Sequence, residues 1–110
     1  MKELAEFKCV ACRGDTPPLS FIEIADLLPK IPEWRLIEVE GASRLERVFL
    51  FKNFADALTF TNRVAAIAEL EDHHPRIVTE WGHVTIQWWT YAIDGLHKND
   101  FIMAAKTDLL

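Results

Sequence analysis

The sequence predicts an α+β fold in two layers, in which a four-stranded antiparallel sheet carries helices on one face. Three segments carry helix signals and four carry strand signals, in the order α-β-β-α-β-β-α. The strand segments come in consecutive pairs rather than alternating singly with helices, which favours antiparallel pairing. The chain has 110 residues and 50% of them are apolar, a length and composition typical of one globular domain.

The first helix is expected to follow an extended arm. Residues 1–19 contain a glycine and two prolines and show no sustained periodicity, so we expect an extended N-terminal arm before a domain that spans residues 20–110. In "SFIEIADLLP", Ser20 lies three residues before Glu23, which is the spacing of a capping box at a helix start. Pro29 is expected to end this short helix.

A hairpin and the longest helix come next. "EWRLIEVEGASRLERVFLF" is rich in β-forming residues on both sides of "EGAS", which predicts strands at about 34–40 and 44–51. From Asn53 the apolar period changes to 3.6, with Asn53 as the cap and Asp56 completing a capping box, and we expect the helix to run to about Glu71. The predicted buried stripe of this helix is Phe54, Ala57, Leu58, Thr61, Val64 and Ala68.

The last two strands and the last helix complete the predicted fold. "HVTIQWWT", residues 83–90, alternates as a half-buried strand does, and a shorter strand at 77–80 is expected to pair with it. Trp88 and Trp89 then point to opposite sides, so one should be core and the other should stack on a ligand or pack at a subunit interface. An Asp-Gly turn separates this strand from a final helix within 99–110.

Composition narrows the possible partners. The net charge of −5 would repel a phosphate backbone, and the basic residues are scattered along the chain, which argues against direct nucleic-acid binding. No apolar run reaches 18 residues and the N-terminus lacks the apolar stretch of a signal peptide. We therefore expect a cytoplasmic protein that does not span a membrane and that binds a small ligand.

The two cysteines form a C-x-x-C motif in the arm. Cys9 and Cys12 supply only half of a zinc site, and no second pair or preceding strand accompanies them. The motif is interpreted as a mobile arm that carries two reduced thiols.

The segment "ELEDHHPRIVTEW" carries the strongest chemical signal. Adjacent His73 and His74 point in different directions, so they are poorly placed to share one metal ion. Pro75 keeps the residue before it out of the helical region, which should splay the two imidazoles from a fixed loop. Imidazole exchanges protons near neutral pH, and three carboxylates, those of Glu69, Glu71 and Asp72, lie close enough in sequence to orient a ring. The alternative interpretation is a polar loop that ends a helix.

The chain resembles the pterin-4a-carbinolamine dehydratase family, in its bacterial form. The resemblance rests on an acidic residue four before His-His-Pro, a following aromatic residue and a later Gly-Leu-x-x-x-Asp, within "ELEDHHPRIVTEWGHVTIQWWTYAIDGLHKNDFIMAAKTD". It extends to "LLPKIPEWRL", to "LERVFLFKNFADALTFTNRVAAIAE" and to the arm "CVACRGDTPP". Nearly the whole chain is covered, with the motifs in order.

The resemblance implies an enzyme that removes water from 4a-hydroxytetrahydropterin, the product of aromatic amino acid hydroxylases. Acid–base groups suffice for this dehydration, so no cofactor or metal is implied. By position, His73 is a catalytic acid–base candidate, His74 binds and orients the pterin, and Glu69 is the supporting carboxylate. Substrate contacts are assigned to Asp72, His73, His74, Trp89, Thr90 and Tyr91, and Asp100 is expected to cap the last helix and brace the site. His83 and His97 lie outside the family's catalytic positions and are expected at the surface or in turns.

Tyr91 departs from the family pattern, which usually has a third histidine there. A phenol can donate a hydrogen bond, but it is a poor base at pH 7, so Tyr91 is assigned to the catalytic set as a weaker proton carrier. The departure keeps a second function open, a protein-binding or assembly factor on the same scaffold. Relatives are reported to act as a dimerisation cofactor of a homeodomain transcription factor and as an assembly factor for carboxysomal Rubisco. The resemblance also implies a homodimer or homotetramer.

Overall fold

The computed structural model describes residues 2–11 and 13–110, and it confirms the predicted α+β fold. Three α-helices, α1 (Phe21–Leu27), α2 (Phe54–Glu71) and α3 (Lys98–Thr107), alternate with strand pairs β1 (Arg35–Val39) and β2 (Ala42–Leu50), then β3 (Arg76–Glu80) and β4 (His83–Trp88). All strand pairs are antiparallel, in the spatial order β1-β2-β4-β3. Short 3-10 turns lie at Leu4–Glu6, Leu28–Lys30 and Tyr91–Ile93.

The core lies between one face of the sheet and helices α2 and α3. Alternate residues of the two central strands supply the sheet side, because successive side chains of a strand point to opposite faces. Burial of each large apolar side chain contributes about 1.5–3 kcal/mol to stability. The buried residues of this cluster include Leu45, Val84, Ile86 and Trp88 from the sheet, Val64 and Ala68 from α2, and Phe101 and Met103 from α3.

The opposite face of the sheet carries a polar row across all four strands. Arg35, Glu46, Gln87 and Arg76 are consecutive register partners. Arg35 Nη2 donates to Glu46 Oε1 at 2.5 Å, and Gln87 Nε2 donates to Glu46 Oε2 at 2.8 Å. Beside this row, the Arg44 guanidinium lies 3.7 Å from the ring centroid of Trp89.

A two-residue turn fixes the register of the first hairpin. Val39 pairs with Ala42, and the two residues between them have positive φ, 52° at Glu40 and 82° at Gly41. Two positive φ angles in succession match the right-handed twist of the flanking strands. The turn lies within the predicted "EGAS", and β2 begins two residues earlier than expected.

Helix α2 ends where it was expected to end, but its buried face differs from the predicted stripe. Asn53 caps the helix by accepting the Asp56 N–H at 2.8 Å. Ala57, Val64 and Ala68 are buried as expected, and so is Phe60, which the stripe omitted. The prediction for Phe54 and Leu58 was wrong, because both remain more than 40% exposed. The core-facing stripe runs along i, i+3, i+7 and i+11 from Ala57, which turns the other two side chains towards solvent.

The chain between β4 and α3 is more irregular than expected. Strand β4 ends at Trp88 instead of residue 90, and Thr90 instead forms an isolated bridge with Gly95. Helix α3 is capped by His97, whose Nδ1 accepts the Asn99 N–H at 3.0 Å. His97 is therefore a half-buried cap, whereas His83 lies at the surface and pairs with Glu80 at 2.9 Å, as expected of a turn residue.

The described part of the arm is docked on the domain. Leu4 belongs to the core cluster, and Lys106 of α3 donates to the carbonyl oxygen of Ala5 at 2.8 Å. Further along, Pro18 packs so closely on Gly95 that a Cβ there would lie 2.9 Å from the proline Cβ. Glycine is needed at this position for close approach of the arm.

None of the helices in the described ranges has the length and apolar character needed to cross a bilayer.

Candidate active site

A pocket of about 500 Å³ brings together six residues that the sequence assigned to substrate contact. It is lined by Asp72, His73, His74, Trp89, Thr90 and Tyr91, together with neighbours from the arm and the two helix ends. Asp72 and the two histidines come from the end of α2, and the other three come from the segment after β4. The β-sheet brings these segments together because β4 pairs with β3, which follows the histidine loop directly.

The end of α2 explains why the two histidines diverge. Asp72 adopts the left-handed conformation with φ 50°, and the His73 N–H donates to Ala68 O at 3.1 Å, closing the helix. A left-handed residue at this place is a common helix stop that satisfies the last carbonyl groups. Pro75 follows, and a proline disfavours the helical conformation for the residue before it, here His74. The two rings therefore leave the backbone in different directions and find different carboxylates.

Asp100 holds His73 from beneath the pocket. Its Oδ1 lies 2.6 Å from His73 Nε2, while Oδ2 accepts the Thr90 hydroxyl at 2.8 Å and the His97 N–H at 2.9 Å. The Asp100 side chain has no exposure and that of His73 has 11%. The imidazole also stacks on Trp88, with ring centroids 5.8 Å apart and planes 8° apart. Packing and hydrogen bonds together fix the ring in one orientation.

This arrangement determines which nitrogen of His73 can exchange a proton. A carboxylate accepts hydrogen bonds and does not donate them, so Nε2 carries the proton that Asp100 accepts. Nδ1 is then the ring nitrogen that Asp100 leaves free to take up or release a proton. An aspartate that orients a histidine in this way also stabilises the imidazolium formed when the ring takes a proton.

His74 pairs with Glu69, but in a more exposed place. His74 Nε2 lies 2.5 Å from Glu69 Oε2, and the two side chains are 54% and 77% exposed. Exposed pairs of this kind contribute little to stability, about 0–1 kcal/mol. Glu69 does not line the pocket, so its effect on a ligand acts through the orientation of His74. The pocket thus has one rigid histidine and one histidine at its mouth.

The segment after β4 forms an aromatic wall. Trp88 is the core tryptophan, whereas Trp89 lies in the pocket wall, 97% buried between Arg44 and its neighbours. Tyr91 is 72% exposed and its ring lies 4.6 Å from that of Trp89. Tyr91 therefore reaches the pocket from a solvent-facing position, where its hydroxyl can donate to a bound molecule.

Several pocket residues were either not assigned to the site from the sequence or were given a different role there. Glu71 does not orient an imidazole but accepts the Cys9 N–H at 2.8 Å. Asn99 lies beside the pocket, and Cys9, Val10 and Ala11 of the arm complete its wall. The arm lacks periodicity and lies far in sequence from its partners, so only the polar character of Asn99 beside Asp100 gave any local signal.

The thiol of Cys9 is held in its neutral form. Burial, reinforced by the negative charges of Glu71 and Asp100, raises the pKa of Cys9 to about 12, against a smaller opposing effect of Lys106. Its Sγ lies 3.8 Å from the Asn99 carbonyl oxygen. Cys12, the other half of the C-x-x-C motif, lies outside the described residues. Within the described ranges, no three His, Cys, Asp or Glu side chains are grouped as a metal site would require.

Comparison with known families gives a consistent result. The model of the family described as pterin 4 alpha carbinolamine dehydratase matches residues 17–110. A Gloeobacter violaceus protein, provisionally named pterin-4-alpha-carbinolamine dehydratase 1, is 55% identical over 97% of this chain and 92% of its own length. Proteins of Syntrophotalea carbinolica and Nitrosococcus oceani, both provisionally named pterin-4-alpha-carbinolamine dehydratase, are each 54% identical over the whole chain and 98% and 97% of their lengths.

Two solved structures share the fold. A transcriptional coactivator/pterin dehydratase from Brucella melitensis superposes with a TM-score of 0.75 at 29% identity, over 84% of this chain and 96% of that protein. A pterin dehydratase-like protein identified as a RuBisCO assembly factor in the alpha-carboxysome gives a TM-score of 0.59 at 24% identity, over 70% of this chain and 87% of that protein. At that identity the second likeness concerns the fold alone.

Proposed function

The chain belongs to the pterin 4 alpha carbinolamine dehydratase family, and we propose that it dehydrates 4a-hydroxytetrahydropterin to quinonoid dihydropterin. The observation that carries this proposal is the pair of histidine–carboxylate contacts beside one pocket, His73 with Asp100 and His74 with Glu69. The family supplies the reaction class, and the geometry supports a mechanism in which imidazoles move the protons.

The reaction needs two proton transfers. The 4a-hydroxyl group leaves as water and must gain a proton, while the C4a–N5 double bond forms as N5 loses its proton. A positioned acid or base contributes about 10²–10⁴-fold to such a step. We assign His73 as the catalytic acid–base group, because Asp100 leaves its Nδ1 available and its ring is held rigidly.

The remaining residues bind the pterin and assist the transfers. His74, oriented by Glu69, binds at the pocket mouth and serves as the second proton carrier. Trp89 adds an apolar contact from the pocket lining, Thr90 and Asp72 contribute polar contacts, and the Tyr91 hydroxyl donates a hydrogen bond. The two proton transfers that these side chains carry out complete the dehydration, so the proposal requires no cofactor.

The test is a stopped-flow dehydration assay with enzymatically generated 4a-carbinolamine. Wild-type protein should accelerate loss of the carbinolamine, and His73→Ala should lower kcat by about 10²–10⁴-fold. His83→Ala is the matched control, since His83 pairs with Glu80 in the β3–β4 turn and outside the pocket lining. Full activity in His73→Ala would remove the residue assignment, and no acceleration by wild-type protein would remove the proposed function.

Tyr91 favours a second candidate, a protein-binding factor on the same scaffold. A scaffold need not keep a full set of proton carriers, and Tyr91 stands where the family usually has histidine. If the phenol is a catalytic compromise, Tyr91→His should raise kcat in the same assay; lower turnover would indicate a tyrosine adapted to the reaction. A stoichiometric protein partner recovered from cells, combined with no catalysis by wild-type protein, would favour the scaffold.

We also propose that the protein forms a homodimer or homotetramer and receives its substrate from an aromatic amino acid hydroxylase. Edge strands β1 and β3 present unpaired backbone groups, which proteins usually cover or pair. Phe54 and Leu58 add exposed apolar area on α2. Sedimentation velocity of the purified chain distinguishes these assemblies from a monomer of 12.7 kDa.

A further inference from the structure

The arm is bound at two points, and each point lies close in sequence to one member of the His73–Asp100 contact. The Cys9 N–H donates to Glu71, two residues before His73. The N–H and the carbonyl oxygen of Val10 are both hydrogen-bonded to the side chain of Asn99, the residue before Asp100. The arm therefore ties the end of α2 to the start of α3, the two segments that hold the His73–Asp100 contact.

The contacts to Asn99 are geometrically specific. Its Oδ1 accepts the Val10 N–H at 3.0 Å, and its Nδ2 donates to Val10 O at 2.6 Å. The side chain is 98% buried, so both polar groups would lose their partners if the arm were displaced without water taking its place. An unsatisfied buried polar group costs about 1–3 kcal/mol. This cost favours the docked arm.

The docked arm also forms part of the pocket surface. Cys9, Val10 and Ala11 line the same cavity as His73, His74 and Tyr91. Val10 is 63% exposed, so its side chain is available to a bound molecule. The arm adds apolar surface to a cavity whose other walls carry histidines and hydroxyl groups, and a flat heterocycle with polar edges needs both kinds of surface.

We propose that arm residues 9–11 form one wall of the pterin-binding site and that Glu71 and Asn99 are positioning residues that hold this wall in place. This inference rests on the proposed function. Val10 and Ala11 contact the bound pterin, and Cys9 contributes its backbone N–H to the anchor. Its neutral thiol fits this structural role, because a thiol without thiolate character is a poor nucleophile.

A bulky substitution in the wall tests the contact directly. In Val10→Trp the indole should fill the pocket, so KM for the carbinolamine should rise about tenfold or more, equivalent to 1.4 kcal/mol of binding. The Kd for 7,8-dihydrobiopterin, a reduced pterin without the 4a-hydroxyl group, should rise in parallel in isothermal titration. Lys8→Trp is the matched control, since Lys8 is an exposed arm residue outside the pocket lining, and should leave both constants close to wild type.

The outcomes separate this inference from the proposed function. Wild-type KM and Kd in Val10→Trp, or equal losses in Val10→Trp and Lys8→Trp, would overturn the arm wall while leaving dehydration by wild-type protein intact. Absence of dehydration by wild-type protein would instead remove the proposed function, and dihydrobiopterin binding would still report on the wall.

If Val10→Trp does not fold, a second pair of variants tests whether the arm wall is held in place by Glu71. Glu71→Ala removes the acceptor for the Cys9 N–H and should raise KM with a smaller change in kcat. Glu71→Gln keeps an oxygen acceptor and should restore most of the affinity. Equal KM values in the two variants, or a wild-type KM in Glu71→Ala, would remove the positioning role of Glu71.

Discussion

Asp100 shows how one side chain can serve the fold and the site together. Its two oxygens accept from His73, Thr90 and the His97 backbone, and it is wholly buried. A buried carboxylate is tolerated only when donors satisfy it, so the cap of α3 and the orientation of the catalytic candidate depend on the same group. Asp100 acts through His73 and is best described as a positioning residue.

Asp100→Asn should therefore impair the reaction more than the fold. The His97 N–H can only donate, so the amide oxygen should occupy the Oδ2 site and the NH₂ should face His73. There it would donate to Nε2 and reverse the tautomer that the carboxylate fixes. We expect kcat in the stopped-flow assay to fall about 10²–10⁴-fold, with the fraction of folded protein determined by thermal unfolding.

A carboxylate at the far end of the same helix provides the control for Asp100→Asn. Asp108 accepts from Trp34 Nε1 at 2.8 Å and from Arg47 at 2.6 Å, outside the pocket lining. Asp108→Asn should reduce stability but leave kcat per folded molecule within about twofold of wild type, since distant sites act independently. A near-normal kcat in Asp100→Asn would show that His73 needs no aspartate.

At the scale of elements, the two faces of the sheet make different contacts. One face packs on α2 and α3, and the other carries the polar row through Arg35, Glu46 and Gln87. The same open face supplies Arg44, whose guanidinium stacks on Trp89, a contact worth about 0.5–2 kcal/mol. The polar face thus supports the pocket wall from behind.

Glu46 gives this face a defined dependence on pH. Burial opposes its ionisation, but hydrogen bonds from Gln87 and Arg35, with the charges of Arg35 and Arg76, outweigh burial and lower the pKa of Glu46. A lowered folded-state pKa stabilises the protein above the unfolded pKa of about 4.3, and this contribution is lost as pH falls through the folded pKa.

Glu46→Gln should therefore be less stable than wild type at pH 7, by about 1 kcal/mol. The difference should shrink steadily as pH falls below about 4.3, because the wild-type carboxylate becomes protonated. Urea unfolding at several pH values measures it, with Glu38→Gln at an exposed position of β1 as the control. A difference that stays constant with pH would contradict the assigned role of the Glu46 charge.

At the scale of the whole molecule, the arm packs on the domain and lines one side of the pocket. Cys9 meets Glu71 across 62 residues of sequence, and Val10 meets Asn99 across 89. Such long-range contacts form only when the domain has folded, so arm docking reports on the assembled site. The Cys9 thiol, inside this contact, provides a chemical probe of docking.

Alkylation of Cys9 should measure that docking. With its pKa raised to about 12, Cys9 has little thiolate at pH 8, and iodoacetamide should react about 10³-fold more slowly than in urea-unfolded protein. The raised pKa also makes the stability of the folded protein depend on pH. The contribution of the neutral Cys9 thiol to that stability is full below the unfolded pKa near 8.5 and is lost as pH rises towards 12.

The experiment uses a Cys12→Ser background, so that Cys9 is the single thiol, and mass spectrometry to follow the adduct. Glu71→Ala should accelerate alkylation, because it removes both an anchor of the arm and a negative charge beside the thiol. Equal rates in folded and unfolded protein would show that the arm is undocked in solution.

The sequence by itself determined the order of elements, the antiparallel sheet and the loop that carries His73 and His74. These features depend on capping, alternation and turn residues, which act between near neighbours in the chain. The same local information was insufficient for the buried face of α2, where Phe60 replaced Phe54 and Leu58, because packing against the sheet selects the stripe.

Only the tertiary structure decided which groups face each other in the pocket. His74 meets Glu69 five residues away, but His73 meets Asp100 across 27 residues, and Glu71 holds the arm instead of a histidine. Sequence proximity made three carboxylates equal candidates for orienting a ring. The fold chose among them because the sheet and the docked arm set the distances, and hydrogen bonds form only within about 3 Å.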